Sequence, residues 1–287
     1  MSQLKSILRW CRVVKSPKVK LWKPHKMAYS VFVNQQTTGI RSIHTLYELL
    51  TYLRRAGSAQ EEAFVKQLRL LLPTSAYRDS FGNLIVDIGA NKPKTLFSCH
   101  TDSVCFQRQF NRQTLDITDN AAIKSAEANQ LGSDDGAGIW LLLNMIDAEV
   151  PGRYIFHRAE EIGGHGSLHI KYYESKLLVG IKNAIAFDRR GTRSVITHML
   201  FQRCCSDRFA QALCDAIGMS HVLDQTGGFT DVENYIDAIT NCTNISVGYM
   251  NEHSTTEYLN VAYLERLRDQ LLKVDWLSLA EMEIENL

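Results

Sequence analysis

The chain has 287 residues, of which 45% are hydrophobic and 22% are charged, a composition typical of a globular protein with a real core. No run approaches the roughly 18 apolar residues that a membrane span needs, and a net charge of +1 argues against a nucleic-acid partner. The seven cysteines are odd in number and contain no Cys-x-x-Cys pair, so they indicate neither a disulfide framework nor a structural thiolate zinc site and favour a reducing, cytoplasmic compartment.

The charge is distributed unevenly. Residues 1–27 carry eight basic side chains and no acidic one, so the remaining chain, with 24 basic and 31 acidic side chains, has a net charge of −7. We expect a flexible, disordered basic arm over residues 1–27; weak contact with an anionic surface and organelle targeting are the alternatives. Met27 is a second candidate for the start of the protein, because the recognisable folding pattern begins after it. Residues 28–287 are expected to form one catalytic domain.

Two amphipathic helices are predicted before the first strands. Apolar residues recur at helical spacing over residues 42–55, and Gly57 ends that run. Ser58 and Glu61 form a capping-box pattern for a second helix, which Pro73 ends.

Strands then alternate with helices. Residues 83–88 and 95–99 are predicted to be neighbouring strands, and the polar excursion at 107–130 is predicted to be a hairpin or a rim loop. An apolar, buried helix is predicted at 139–146. Further strands are predicted at 153–157, 183–187, 194–198 and 243–247, and a further helix at 206–217. This alternation predicts a three-layer α/β/α sandwich around a central, mostly parallel or mixed sheet.

Acidic and histidine residues follow the ends of these segments. His100 and Asp102 end the strand at 95–99, where residues two apart project to the same side, so Asp102 can orient the His100 imidazole while its other nitrogen faces a metal. Two imidazoles and three carboxylates suit two zinc ions, with manganese or cobalt as alternatives, provided that one carboxylate bridges. The five candidate ligands are His100, Asp134, Glu161, Asp188 and His253.

The doublet Glu160-Glu161 supplies the second part of the predicted chemistry. Successive side chains at a strand end diverge, so one can bind a metal while the other reaches a water molecule. We predict that Glu161 is the ligand and that Glu160 is the general base, which takes a proton from the water and passes it to the leaving amine.

These motifs resemble the zinc exopeptidases with co-catalytic metals, the clan of bacterial aminopeptidases and peptidase T. The resemblance extends over residues 44–270 and rests on an ordered set of segments. The segments are H-T-D at 100–102, G-S-D-D-G-A-G at 132–138, E-E at 160–161, F-D-R-R-G at 187–191 and N-E-H at 251–253.

The resemblance implies that His100 and Asp188 hold one metal, that Glu161 and His253 hold the other, and that Asp134 bridges them. It also implies that Asp102 orients His100 and that Glu160 is the base, with Asp135 as the alternative bridge. Many relatives carry an inserted lid domain of about a hundred residues. Gaps of 34 residues from His100 to Asp134 and 65 residues from Asp188 to His253 leave no room for one, so a compact single-domain type is expected.

Other polar residues near these segments are predicted to be structural. Asp231 is expected to cap a helix rather than contact substrate, and Tyr249 to be a buried structural residue rather than an oxyanion donor. Arg189 and Arg190 flank the site and could bind a substrate carboxylate, although charges at a strand end need no such role. The remaining nearby histidines are predicted to be packing or rim residues, namely His157, His165, His169 and His198.

The predicted function is that of a cytoplasmic metallopeptidase with two zinc ions that removes N-terminal residues from peptides. The first alternative is an amidohydrolase or deacylase acting on acylated amino acids or amino sugars, and the second is a non-catalytic binding protein of the same fold. A peptide or an acyl amide is therefore the expected partner. The oligomeric state is left open.

Overall fold

The structure, a computed structural model, describes residues 19–23, 41–89, 92–106, 110–118, 122–127 and 129–282. The helices are α1 (Ile43–Thr51), α2 (Ala59–Leu71), α3 (Ser133–Asp147), α4 (His165–Tyr173), α5 (Asp207–Ile217), α6 (Val261–Leu271) and α7 (Trp276–Glu281), with 3-10 turns at Ser175–Leu178 and Asp231–Tyr235. The strands are β1 (Val19–Trp22), β2 (Tyr77–Arg78), β3 (Leu84–Ile88), β4 (Thr95–His100), β5 (Leu115–Thr118), β6 (Ala122–Ser125), β7 (Gly152–His157), β8 (Asn183–Arg189), β9 (Ser194–Ile196), β10 (His198–Met199), β11 (Gln202–Arg203), β12 (Val222–Asp224), β13 (Asn241–Ser246), β14 (Tyr249–Met250) and β15 (Tyr258–Asn260).

A mixed sheet of eight strands forms the centre of the fold, in the order β12-β9-β13-β8-β4-β7-β3-β2. The four central strands β13, β8, β4 and β7 run parallel to one another. The outer strands β3, β2 and β9 join antiparallel to their inner neighbours. All six residues of β4 are buried, as expected for a strand covered on both faces. The predicted mixed α/β fold is confirmed.

The prediction that the strands at 83–88 and 95–99 are neighbours is wrong. β7 lies between them, antiparallel to β3 and parallel to β4. The physical reason is burial: β7 contains the run Tyr154, Ile155 and Phe156, which is fully buried and must therefore lie inside the sheet. The short connection from β3 to β4 suggests a hairpin, but a later strand that is buried along more of its length occupies the inner position.

Helical elements cover both faces of the sheet. Tyr154 and His157 are three residues apart on β7, so their side chains point to opposite faces. On one face, the rings of Tyr154 and Trp276 of α7 both pack against Phe97, at centroid distances of 5.0 and 4.9 Å. On the other face, His157 hydrogen-bonds to Tyr235 of the second 3-10 turn. The arrangement is the predicted three-layer sandwich.

Helix α3 packs closely on the sheet and begins at the carboxyl ends of its strands. Gly138 makes this approach feasible, because a Cβ added there would lie 2.4 Å from the Phe187 carbonyl oxygen of β8. Asp134 and Asp135 both have non-helical backbone angles. The two aspartates therefore lie at the mouth of the helix and not in its regular body.

A second sheet, in the order β1-β5-β6-β15-β14, lies beside this edge. Strands β5 and β6 pair antiparallel, so the polar excursion at 107–130 contains the predicted hairpin. Val19–Trp22 pairs with β5, which makes the prediction of a flexible arm wrong for these four residues. Backbone pairing with β5 and an edge-on contact between the Trp22 and Tyr47 rings, at 6.0 Å, hold this segment in place. Residues 1–18 and 24–40, including Met27, lie outside the described residues.

The structure confirms the capping box that opens α2. The Ser58 hydroxyl accepts the Glu61 N–H at 3.1 Å, and the Glu61 carboxylate accepts the Gly57 N–H at 2.7 Å. In the part of the chain that the structure describes, none of the helices combines the length and the apolar character that crossing a membrane requires.

Candidate metal centre

The five predicted ligands converge at one edge of the central sheet. His100 is the last residue of β4, and Asp188 lies one residue before the end of β8. Asp134 lies at the mouth of α3, Glu161 follows β7, and His253 follows β14. The carboxyl ends of parallel strands meet at this edge, which is where open α/β sheets bind their ligands.

Two groups of potential ligands form here, and they share Asp134. The first group is His100, Asp134 and Asp188, and the second is Asp134, Glu161 and His253. Within each group one ligand atom per residue lies within 4.8 Å of every other. His100 Nε2 is 3.0 Å from Asp134 Oδ1 and 3.5 Å from Asp188 Oδ1. His253 Nε2 is 2.9 Å from Asp134 Oδ2 and 3.0 Å from Glu161 Oε2. The two oxygens of Asp134 thus face different groups.

The electrostatics of this edge suit divalent cations. Burial, followed by the charge of Asp134, raises the pKa of Asp188 to about 6. Hydrogen bonds to Asp134 and Glu161 raise the pKa of His253 to about 11. Burial opposes the charged form of His100, but Asp188 and its other acidic neighbours raise the pKa of this imidazole well above its usual value. Three carboxylates at one buried edge require positive charge close to them. A hard or borderline metal ion fits the same oxygen and nitrogen atoms.

Asp102 holds two parts of this centre together. Its carboxylate lies 3.5 Å from His100 Nδ1, and its backbone oxygen lies 3.1 Å from the same nitrogen. The two carboxylate oxygens also accept the backbone N–H groups of Glu160 and Glu161, at 3.2 and 3.1 Å. The side chain is fully buried. Asp102 therefore fixes both the His100 ring and the doublet.

Glu160 faces a cavity of about 440 Å³ that opens onto the ligands. Asp134, Asp188 and His253 line the same cavity, together with Tyr249. Burial raises the pKa of Glu160 well above the usual range, and the surrounding carboxylates Asp188, Asp231 and Asp134 add to the shift. The two side chains of the doublet therefore diverge as expected. Glu161 lies 3.0 Å from His253 Nε2, and Glu160 lies at the wall of the cavity.

Comparison with known proteins identifies the fold. No protein-family model and no curated protein sequence matches the chain. Among solved structures, the aminopeptidase PepT from Bacillus cereus matches with a TM-score of 0.66 and 16% identity, over 84% of this chain and 98% of that one. A tripeptidase from Staphylococcus aureus gives 0.68 and 14%, over 88% and 100%. An aminopeptidase from the archaeon Desulfurococcus kamchatkensis gives 0.62 and 13%, over 85% and 98%.

This chain has the fold of these peptidases. The resemblance that the five motifs predicted is thereby confirmed for the fold. At sequence identities of 13 to 16%, the comparison shows the fold alone.

Two buried residues of this peptidase fold support the centre and were not found from the sequence. Glu257 accepts the N–H groups of Gly132 at 3.1 Å, Ser133 at 2.7 Å and Asp134 at 3.3 Å, and it also accepts the Ser133 hydroxyl. Burial raises the pKa of Glu257 to about 6. The only sequence signal was an acidic residue four positions after His253.

Arg54 is the second supporting residue, and it is completely buried. Its guanidinium donates to the Gly132 carbonyl at 2.7 Å and to the Thr101 carbonyl at 3.0 Å. The predicted helix over 42–55 ends earlier, at Thr51, because Leu53 N–H turns away to the Asn111 carbonyl. The extended segment that follows carries Arg54, whose charge interacts with the Asp135 and Asp102 carboxyls.

Asp135, the alternative bridge, has a different environment from Asp134. Its carboxylate accepts the backbone N–H of Gly138 at 2.9 Å and that of His100 at 3.2 Å. It therefore ties α3 to β4 and belongs to neither ligand group.

The expectation that Asp231 caps a helix is wrong. The residue that precedes the 3-10 turn is Thr230, whose hydroxyl donates to Asp188 at 2.8 Å. The Asp231 carboxylate is buried 3.4 Å from His157 Nδ1, and burial raises its pKa to about 8. Tyr249 is buried as expected, and its hydroxyl donates to Asp188 at 3.0 Å.

The other histidines near the motifs lie outside both ligand groups in the described residues. His157 is a packing residue: it is fully buried between Ser98 and Tyr235, and burial lowers its pKa to about 3. His165 is exposed at the start of α4, and His169 contacts the Ser80 hydroxyl at 2.9 Å.

Proposed function

We propose that the protein is a metal-dependent hydrolase with two metal ions, preferably zinc, that removes N-terminal residues from peptides. The observation that carries this proposal is the position of Asp134, whose two oxygens face two separate ligand groups. A shared carboxylate of this kind is what a pair of metals at bridging distance requires. The peptidase fold supports the same reading.

The proposed ligands divide as the two groups do. His100 and Asp188 hold one metal, Glu161 and His253 hold the other, and Asp134 bridges. Two bound divalent ions would polarise the scissile carbonyl and lower the pKa of a water molecule. Two imidazoles and three carboxylates suit zinc, and cobalt or manganese can occupy the same donors.

Glu160 is the proposed general base. It lies beside Glu161 but lines the cavity instead of contacting His253, so its carboxyl group is free to exchange a proton with bound water and with the leaving amine. Asp102 positions Glu160 through the backbone N–H and positions His100 through the ring. Thr230 and Tyr249 donate to Asp188 and hold its carboxylate in place.

We place the protein in the cytoplasm and assign peptides as its substrates. Among the described residues, Cys99, Cys204, Cys205, Cys214 and Cys242 form no disulfide bond, which suits a reducing compartment. Two of the solved structures with this fold are named aminopeptidases and a third a tripeptidase, which favours a peptide over an acyl amide.

A panel of aminoacyl amides and matching N-acetylated compounds tests the proposal. We expect release of the N-terminal residue from free-amine substrates, loss of turnover on chelation and recovery when zinc is restored. Turnover of the acetylated compounds alone would establish the deacylase alternative. Metal binding without turnover of either set would leave a non-catalytic binding protein.

A further inference from the structure

A strained hairpin stands at the rim of the candidate site. The sequence predicted one strand over 194–198, but the structure divides this region into β9 and the hairpin β10-β11. The two-residue turn of the hairpin is Leu200-Phe201, with φ of 46° and 68°. Two-residue turns with left-handed angles at both positions strongly prefer Asn-Gly, because bulky side chains are disfavoured in that region.

The same two residues expose large apolar side chains. Phe201 is 100% exposed and Leu200 is 51% exposed. Neither the left-handed backbone nor an apolar surface in water stabilises the folded chain. The two features together indicate that the turn serves a contact with another molecule.

The position of the turn indicates that this molecule is the substrate. Leu200 and Phe201 line the same cavity as Asp134, Asp188 and His253. An apolar group held by the turn would therefore lie next to the bond that the proposed metals act on.

The hairpin is fixed to a segment that forms another wall of this cavity. Leu200 N–H donates to the Gly227 carbonyl at 3.1 Å, and Gly227 N–H donates to the His198 carbonyl at 3.1 Å. The next residue, Gly228, faces open space, since a Cβ added there would meet nothing within 4 Å. Phe229 follows, and its ring lies against Gly164 in the loop after the Glu160-Glu161 doublet. The wall of the cavity at Gly227 and Gly228 therefore carries no side chains. It lies between two apolar residues, Leu200 and Phe229.

The two arginines of the cavity already have partners. Arg189 donates to Thr226 at 2.9 Å and lies 3.5 Å from the Asp224 carboxylate. Arg190 forms an ion pair with Glu252 at 3.0 Å. The apolar residues at the rim are therefore the surface left to recognise a substrate side chain.

We propose that Leu200, Phe201 and Phe229 form a specificity subsite for the apolar side chain of the substrate's N-terminal residue. The inference rests on the proposed peptidase function. Substrate binding removes the exposed apolar surface from water, and the left-handed turn holds that surface over the cavity.

The double variant Leu200→Asn/Phe201→Gly tests this subsite without endangering the fold. Asn-Gly is the preferred sequence of this turn, so thermal stability should be equal to or higher than that of the wild type. We expect the ratio of kcat/KM for leucine amide to that for glycine amide to fall about tenfold, mainly through KM. The matched control is Tyr173→Ala, which removes an exposed aromatic side chain from α4 outside this cavity and should leave the ratio unchanged.

An unchanged ratio in the double variant would overturn the subsite while leaving the peptidase proposal intact. If the wild type cleaves no amide, the proposed function fails, and titration calorimetry with leucine amide and glycine amide then decides the subsite. A preference for leucine amide that disappears in the double variant supports it, and no preference in the wild type overturns it. Dissociation of an oligomer in the double variant, with an unchanged ratio, would reassign the hairpin to a contact between copies of the chain.

Discussion

Glu257 accepts the backbone N–H of Ser133 at 2.7 Å. Through this contact and those to the neighbouring N–H groups, a carboxylate near the C-terminal end of the fold fixes the segment that presents Asp134. A residue that belongs to neither ligand group thereby sets the direction of the carboxylate that the two groups share.

The variant Glu257→Gln should weaken metal binding by about 10- to 100-fold, as expected when a partner that orients a ligand is lost. A glutamine has one acceptor oxygen and cannot accept from Gly132 and Ser133 with both ends of its side chain. Competition with a chromogenic chelator measures the affinity. The exposed Glu281→Gln provides the control, and equal affinities in the two variants would refute this role for Glu257.

The variant Glu160→Gln should keep both metals and lose about 10²- to 10⁴-fold in kcat, because the amide cannot take a proton from water. Metal content and kcat are measured on the same preparation. Retention of full turnover would remove Glu160 as the base, and loss of metal would show that it is a ligand instead.

The variant Arg54→Leu should lower the free energy of unfolding by about 3–5 kcal/mol, since it leaves the Gly132 and Thr101 carbonyls unpaired and the nearby carboxyls without a buried positive charge. Urea denaturation gives the value. Arg55→Leu is the matched control, because its side chain is exposed on the adjacent residue and its replacement should cost far less. Equal losses would mean that the buried guanidinium is dispensable.

His221 should make the protein sensitive to acid. It is buried against the Tyr263 hydroxyl at 2.9 Å, and burial lowers its pKa to about 4. The unfolded chain binds this proton near pH 6.5, so the stabilising contribution is present above pH 6.5 and is lost as the pH falls towards 4.

The variant His221→Gln should therefore lose less stability than the wild type between pH 6.5 and 4, as measured by urea denaturation at each pH. His165→Gln, at an exposed position, is the control and should retain the steeper wild-type dependence. Identical curves for wild type and His221→Gln would contradict the assignment.

The elements that sequence predicted are those with a strong local signal. The Ser58 and Glu61 capping box and the apolar run of α3 determine their own structure, and both are present. The five proposed ligands follow strand ends or open a helix, so the parallel arrangement of the strands was sufficient to predict that they meet.

The features that were not predicted from the sequence depend on contacts between distant segments. The insertion of β7 between β3 and β4 is decided by which strand loses most apolar surface to burial, which no local pattern records. Arg54 is 78 positions from Gly132, and Glu257 is 124 positions from Ser133. The local sequence around Arg54 and Glu257 is typical of exposed charged residues, and only the folded chain shows that both are buried. Asp231 is a third case, since a helix cap was expected from the sequence while its carboxyl lies against His157.

The most direct test of the account is the metal content of the purified chain after zinc loading and desalting, measured by elemental analysis for the wild type and for His253→Ala. Two ligand groups that share Asp134 predict about two zinc ions per wild-type chain. The variant should retain about one, in the group of His100, Asp134 and Asp188. A wild-type chain that holds no zinc, or one whose zinc content His253→Ala leaves unchanged, would contradict the shared bridge on which the proposed function depends.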